Sequence, residues 1–352
     1  MKECCLVTGG AGFIGCAVAP LLVNRYDHVI AVDNLHPQVH ASCRRPQSLH
    51  ARVELHIADV CDGQFWEAFL KEHHPTSIVH LAAETGTGQS LTEASRHAQV
   101  NVLGLTRLLD GISASRRFPQ QVLLTSSRAV YGEGAWRNLV DGCVMYPGQR
   151  DRAMLERGQW DFPHAEPLSF MAGQTEPHPT SIYAATKLAQ EHVLSAWTQA
   201  FSVGCSILRL QNVYGPGQAL TNPYTGIVAL FARLAKKGES IPLFEDGKMK
   251  RDFVFVGDVA AAIDAALGQP PQGCRTLDIG TGQAITIAEL AVMIADIYQA
   301  PPPHVTGQFR NGDVRHASCR IDAACGQIGY SPAVSVRVGL EKLCHWIDGI
   351  SP

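Results

Sequence analysis

The chain has 352 residues, room for a nucleotide-binding domain and a smaller second lobe, since single hydrophobic cores rarely grow beyond about 250–300 residues. Hydrophobic residues make up 46% and charged residues 17%, proportions that exclude disordered and fibrous classes. A formal charge of −3 leaves no basic footprint for nucleic acid, so an anionic ligand has to be gripped by a few placed arginines.

The opening MKECCLVTGG runs directly into an apolar strand, without the charged region, apolar stretch and cleavage site of a secretory leader. No apolar run reaches the ~20 residues of a membrane-spanning helix, because VAAAIDAAL is short and broken by Asp264. A cytoplasmic protein without a membrane partner is expected. The 11 cysteines contain no C-x-x-C pair, and the 15 histidines, His73-His74 among them, read as solvated surface groups, so no metal is expected.

In chain order the pattern alternates: CCLVTG as strand, AVAPLLVNRY as helix, HVIAVD and VELHIAD as strands, FWEAFLKEH as helix, SIVHLAA as strand. It continues with QVNVLGLTRLLDGISA as helix, QVLLTSS as strand, SIYAATKLAQEHVLSAWTQAF as helix and CSILRLQNVYG as strand. Such alternation predicts an α/β fold, a doubly wound parallel sheet with helices on both faces and a smaller C-terminal α/β lobe. Residues 133–180 break the pattern and form either a lid or a surface insertion. RDFVFVGDVAAAIDAAL offers a strand and helix that rejoin the first domain. The expected division is therefore 1–211 plus 252–268 for the first domain and 212–251 plus 269–352 for the lobe. In TLDIGTGQ, Gly280 and Gly282 lack the third glycine of a second dinucleotide site and read as a plain turn.

LVTGGAGFIG places Gly9, Gly12 and Gly15 after the first strand and at the start of a helix. They serve a tight turn, close backbone approach to a pyrophosphate and close helix packing, with the phosphates against free N–H groups. Phe13 and Ile14 complete this turn. Asp33, ending HVIAVD about 20 residues on, can accept the ribose hydroxyls and repel a 2′-phosphate, which favours NAD over NADP. Asn34 beside it, Asp59 and Val60 after the third strand, Leu81, Ala82, Ala83 and Thr85 after the fourth, Asn101 on the next helix and Thr125 on the fifth strand complete the candidate cofactor wall.

Tyr183 and Lys187 stand four apart, on one face of a helix. A free tyrosine, with a pKa of about 10, is a poor base, and a neighbouring ammonium favours its phenolate. Ser127, closing the preceding strand, can share a substrate oxygen with it. Tyr183 and Lys187 are expected to touch cofactor as well as substrate.

TGGAGFIG, TSSRAVYG, YAATK, NVYGPG and RDFVFVGDV, in this order, resemble the extended short-chain dehydrogenase/reductase family, in its NAD-dependent nucleotide-sugar epimerase/dehydratase group. The resemblance implies a Rossmann-type domain, bound NAD, the triad Ser127, Tyr183 and Lys187, a lobe that binds a nucleoside diphosphate sugar, and a homodimer joined through helices that include the Tyr183 helix. It also implies oxidation at C4 of the sugar as the shared first step. Relatives that dehydrate carry Asp-Glu after the serine, and others carry Glu or Cys nearby; here Arg128-Ala129 leaves hydride removal and return, which is C4 epimerisation. Glu133, Asp141 and Asp161 of the insertion stay open as extra acids.

Diphosphate recognition falls to Arg251, Asn212, Arg310 and Asp313, with Thr225, Gly226 and Phe244 as further nucleotide contacts, Arg128 beside the sugar, and Thr85 and Thr87 lining the cleft. HLAAETGTGQS resembles a subgroup of sugar epimerases acting on a dTDP-6-deoxyhexose such as dTDP-L-rhamnose. A UDP-hexose 4-epimerase, a 4-keto sugar reductase, a dehydratase and a non-catalytic NAD(H)-binding sensor are the alternatives.

Overall fold

Short, mostly apolar runs become strands buried on both faces, as in Cys4–Thr8, His28–Asp33 and Gly204–Leu210. In the computed structural model, which describes residues 3–40, 42–220 and 226–349, seven of these strands form one sheet. Its order is Cys274–Ile279, Gly204–Leu210, Gln121–Ser127, Ser77–His80, Cys4–Thr8, His28–Asp33 and Val53–Ile57, and every pairing is parallel. The strands step outward in one direction from Cys4–Thr8 and then in the other from Ser77–His80. That reversal opens a crevice at the carboxyl ends of the two central strands. Helices Phe13–Arg25 and Val256–Leu267 pack on one face through Val18, Leu22, Val259 and Ile263, while Gly63–Glu72, Gly104–Ser115 and Ile182–Phe201 cover the other through Trp66, Leu105, Leu108 and Leu194.

The expected division at 211/212 matches the structure, but three strand assignments need correction. CSILRLQNVYG is two strands, not one: Gly204–Leu210 lies in the large sheet, and Asn212–Tyr214 pairs with Lys250–Phe255 in a second sheet, so the chain changes lobes at Gln211. The RDFVFV strand stays in that second sheet, and only its helix Val256–Leu267 returns to the first domain. Cys274–Ile279, expected in the lobe, is instead the seventh strand of the large sheet. It pairs with Cys205–Leu210 of a strand too thoroughly buried to be left as an open edge.

The 133–180 segment has secondary structure of its own. Trp136–Asn138 pairs antiparallel with both Val144–Met145 and Ala165–Pro167, and Trp136 is fully buried. Buried ion pairs fasten this unit to the lobe. Arg150 donates to Glu245 at 2.8 and 3.0 Å and to Glu133 at 3.1 Å, while Arg315 reaches Glu245 at 3.0 Å, Asp246 at 2.7 Å and Asp161 at 2.9 Å. Among the described residues no helix is long and apolar enough to cross a membrane.

Removing one partner of a buried ion pair strands its counter-charge, at a cost of about 3–5 kcal/mol. Arg150→Met, which leaves Glu133 and Glu245 short of a guanidinium, is expected to lose stability of that order in urea unfolding. A loss below about 1 kcal/mol would mean that water reaches these carboxylates.

Candidate active site

The crevice at the strand ends is a cavity of about 460 Å³. Gly9, Gly12, Phe13, Ile14, Gly15, Asp33, Asn34, Val60, Leu81, Ala82, Ala83, Thr85, Thr87, Tyr183 and Gly226 all line it. Two glycines leave no room for a side chain: a Cβ on Gly9, whose φ is +67°, would meet the Ala82 nitrogen at 2.7 Å, and one on Gly15 would meet the Gly10 carbonyl oxygen at 2.4 Å. The helix beginning at Phe13 has Gly12 as its N-cap, no side-chain cap and no acidic residue in its first turn, so its N–H groups face the cavity without an internal acceptor. Asp33 accepts from the Ala11 amide at 3.1 Å and the Leu35 amide at 2.9 Å, which fixes its carboxylate at the end of the second strand.

Other expected wall residues hold the wall up from behind. Asp59 accepts from Asn34 Nδ2 at 3.1 Å and from the Cys61 amide at 2.8 Å. Thr125 donates to the His80 carbonyl. Asn101 is fully buried in a π-helical turn, where its Oδ1 accepts from the Glu84 amide at 2.8 Å and its Nδ2 donates to the Glu84 carbonyl at 3.1 Å and Thr186 Oγ1 at 2.9 Å. It therefore clasps the Ala83–Thr85 loop to the helix that carries Tyr183. His36, Gln38, His40, Glu84 and Gln218 also line the cavity. No motif in the sequence marks them, because loops folding over a strand end bring them there.

Ser181 caps the Tyr183 helix by accepting from the Ala184 amide at 3.2 Å, which starts the helix one residue before Tyr183. Burial raises the Tyr183 phenol, opposed by its hydrogen bond with Ser127 and by the Arg128 guanidinium. Arg128 is thus one nearby charge that favours the phenolate. Lys187, one helical turn beyond Tyr183, donates its Nζ to Gln190 Oε1, 2.5 Å away. Burial brings Lys187 down to about 7, against the pull of Glu191. Glu191, in turn, is gripped by Arg209 at 2.6 and 3.0 Å and by Ser126 at 2.5 Å.

Beyond Tyr183 the remaining expected residues form one charged group. Arg128 donates to Asn212 Oδ1 at 2.7 Å, and burial, together with the Arg251 charge, brings its guanidinium down to about 9. Arg251 is buried and donates to the carbonyls of Lys250, Val314 and Arg315. Burial raises the Asp313 carboxyl, with Arg251 and Arg310 pulling it back, and Arg310 lies over the Phe244 ring at 4.8 Å. Thr225 falls outside the described residues. The insertion's carboxylates already have structural partners: Glu133 bonds Arg150 and the Arg315 amide, Asp161 bonds Arg315 and His316, and exposed Asp141 caps the Cys143 amide. Near Gly280 and Gly282 the turn wraps Asp252, which accepts from the Thr281 and Gly282 amides, leaving no phosphate cradle. Glu54, His56 and His73 gather on the surface, with Glu54 bonded to His56 at 2.6 Å and to His28 at 2.7 Å.

A model of the NAD dependent epimerase/dehydratase family matches residues 5–280. The chain belongs to that family. It is 57% identical to a dTDP-L-rhamnose 4-epimerase of Burkholderia thailandensis, over 97% of this chain and 94% of the other. A UDP-glucose 4-epimerase of Mycolicibacterium smegmatis is 30% identical over 96% of each chain. Among solved structures, a UDP-glucose 4-epimerase of Thermus thermophilus in complex with NAD superposes with a TM-score of 0.78 at 28% identity, covering 99% of this chain and 100% of that one. A UDP-glucose 4-epimerase of Thermotoga maritima with UDP-glucose gives 0.81 at 26% identity, covering 98% and 99%. As a member of the epimerase family the chain uses NAD, and its residues fit that group: the glycine turn packs too closely for side chains at Gly9 and Gly15, the first helix starts at the cavity with no side-chain cap, and the Asp33 carboxylate lines the same cavity.

Asn101→Ala removes three hydrogen bonds between the cavity wall and the Tyr183 helix. The expected outcome is faster hydrogen exchange at the Glu84 amide and a stability loss of about 1–3 kcal/mol. Unchanged exchange at Glu84 would show that the loop is held by other contacts.

Proposed function

We propose that this NAD-dependent nucleotide-sugar 4-epimerase acts on dTDP-L-rhamnose, inverting C4 through a 4-keto sugar. The observation that carries the substrate is the 57% identity, spanning nearly the whole of both chains, to a dTDP-L-rhamnose 4-epimerase. The UDP-glucose enzymes share much less, at 30% and below.

In this reading Tyr183 takes the proton of the sugar's 4-hydroxyl and later returns it. Ser127 holds the same oxygen and, with Arg128, offsets the burial that would otherwise keep the phenol protonated. NAD, when bound, supplies the hydride acceptor and donor at C4. Inversion requires the site to leave the sugar room to turn over before Tyr183 returns the proton. The chain needs no further acid or base for this, consistent with Arg128-Ala129 after Ser127 and with the structural partners of Glu133 and Asp161. Arg251, Arg310 and Asp313 hold the nucleoside diphosphate, with Phe244 stacked under Arg310. The first-domain residues bind NAD and the lobe binds sugar nucleotide. A cytoplasmic homodimer is part of the proposal: Leu103, Phe118 and Phe201, at 39%, 40% and 42% exposure, give the helices around Tyr183 an apolar face for a second copy.

Incubation with dTDP-L-rhamnose, followed by NMR, is expected to show the C4 epimer accumulating to equilibrium with no net reduction of NAD. Turnover of UDP-glucose alone would move the substrate to the UDP-hexoses. Tyr183→Phe should lower kcat by about 10²–10⁴-fold while NAD stays bound, and activity within tenfold of wild type would overturn the assignment. Arg251→Ala should weaken dTDP binding by about 10–100-fold in calorimetry, the worth of a charge-assisted contact.

A further inference from the structure

A file of four buried side chains runs from the Tyr183 helix to the first strand. Lys187 Nζ donates to Gln190 Oε1 at 2.5 Å, Gln190 Nε2 lies 3.3 Å from His80 Nε2, and His80 Nδ1 lies 2.8 Å from Thr8 Oγ1. Their exposures are 3%, 0%, 0% and 0%, so none of these groups can turn to water for a substitute partner.

Burial leaves a single consistent direction for the hydrogen bonds. An ammonium only donates, so Gln190 must offer it the carbonyl oxygen. The amide's other end is then its NH₂, which also donates, and His80 Nε2 must accept. The imidazole proton is thereby placed on Nδ1, where it is given to Thr8 Oγ1. A second proton on the ring would break the file at Gln190. Burial, aided by the Lys187 charge, keeps that proton off by bringing His80 down to about 3.

We propose that Gln190 is a positioning residue: locked by neutral, Nδ1-protonated His80, it is the fixed acceptor for the Lys187 ammonium on the helix face that also carries Tyr183. This rests on the epimerase reading above, with Lys187 in the triad place beside Tyr183 that the family resemblance implies. A buried amide costs more than an apolar side chain of the same size, and what it adds here is an acceptor and a donor at fixed places. The other charged and titratable groups about Lys187 are Glu191 and Tyr183 on its own helix and, through Glu191, Arg209 on the neighbouring strand. Glu191 is fully engaged by Arg209 and Ser126, so the direct acceptor for Nζ is Gln190.

Removing an acceptor from a buried ammonium lowers its pKa, and the charged form is then lost earlier as pH rises. In Gln190→Met the alkaline limb of kcat should move to lower pH by about 1–2 units, with kcat at pH 8 down about 10–100-fold and KM for the sugar nucleotide within about twofold. Gln190→Glu, which keeps an acceptor and adds a negative charge, should move the limb the other way, and it carries the comparison if Gln190→Met does not fold. In wild-type protein labelled with ¹⁵N-histidine, His80 should be neutral and protonated at Nδ1 from pH 5 to 6.5, where Lys187 is an ammonium, whatever the substrate proves to be. A superimposable Gln190→Met profile, or an Nε2–H tautomer for His80, would overturn the positioning role. Failure to turn over dTDP-L-rhamnose would count against the substrate alone, because the tautomer measurement does not depend on it.

Discussion

The buried pair of Glu191 and Arg209 is the constraint on which the geometry around Tyr183 depends. Glu191 sits two turns along the helix from Tyr183, and Arg209 lies on the strand beside the one that ends in Ser127, so the pair sets the height of the helix over the sheet. Ser126 donates to the same carboxylate, which ties the serine-bearing strand into the contact. On its other side Arg209 lies over the Tyr131 ring at 4.7 Å, and the Tyr131 hydroxyl donates to Asp278, which also accepts from the Ala172 amide. Three strands, the helix and the insertion thus meet in one charged contact below the site. A buried ion pair adds little net stability compared with apolar packing, but a displaced one is costly, so such a contact specifies register.

A second charged knot, around Arg150 and Arg315, does for the lobe what the first does for the helix. Glu133 and Asp161 come from the insertion and Glu245 and Asp246 from the lobe, and two arginines bind both sets. The insertion is therefore a built part of the second lobe's face. Charge also runs from one knot toward the other: Arg128 feels Arg251, Asp313 and Glu133 on one side and Tyr183 on the other.

Much of this was legible from local pattern. Strands buried on both faces announce themselves as apolar runs, and the Gly9–Gly15 turn and the four-residue step from Tyr183 to Lys187 are local spacings whose geometry follows from helix and turn periodicity. The first crossing between lobes, at 211/212, was placed; the later ones were not, because a strand such as Lys250–Phe255 or Cys274–Ile279 reads the same whichever sheet takes it. Nor did the sequence single out His80 or Gln190, one ending a strand and the other inside a helix, 110 residues apart and 3.3 Å from each other.

Taken alone, the sequence determined the class of fold, the glycine cradle and the type of chemistry, because each is written in residues that lie close together along the chain. Tertiary structure decided which charges act on which groups. It gave the phenol an arginine, the lysine an amide and the insertion's carboxylates two guanidinium partners. Electrostatic partnership depends on distance and burial, and both are set only when strands and loops far apart in sequence close around the same low-dielectric space.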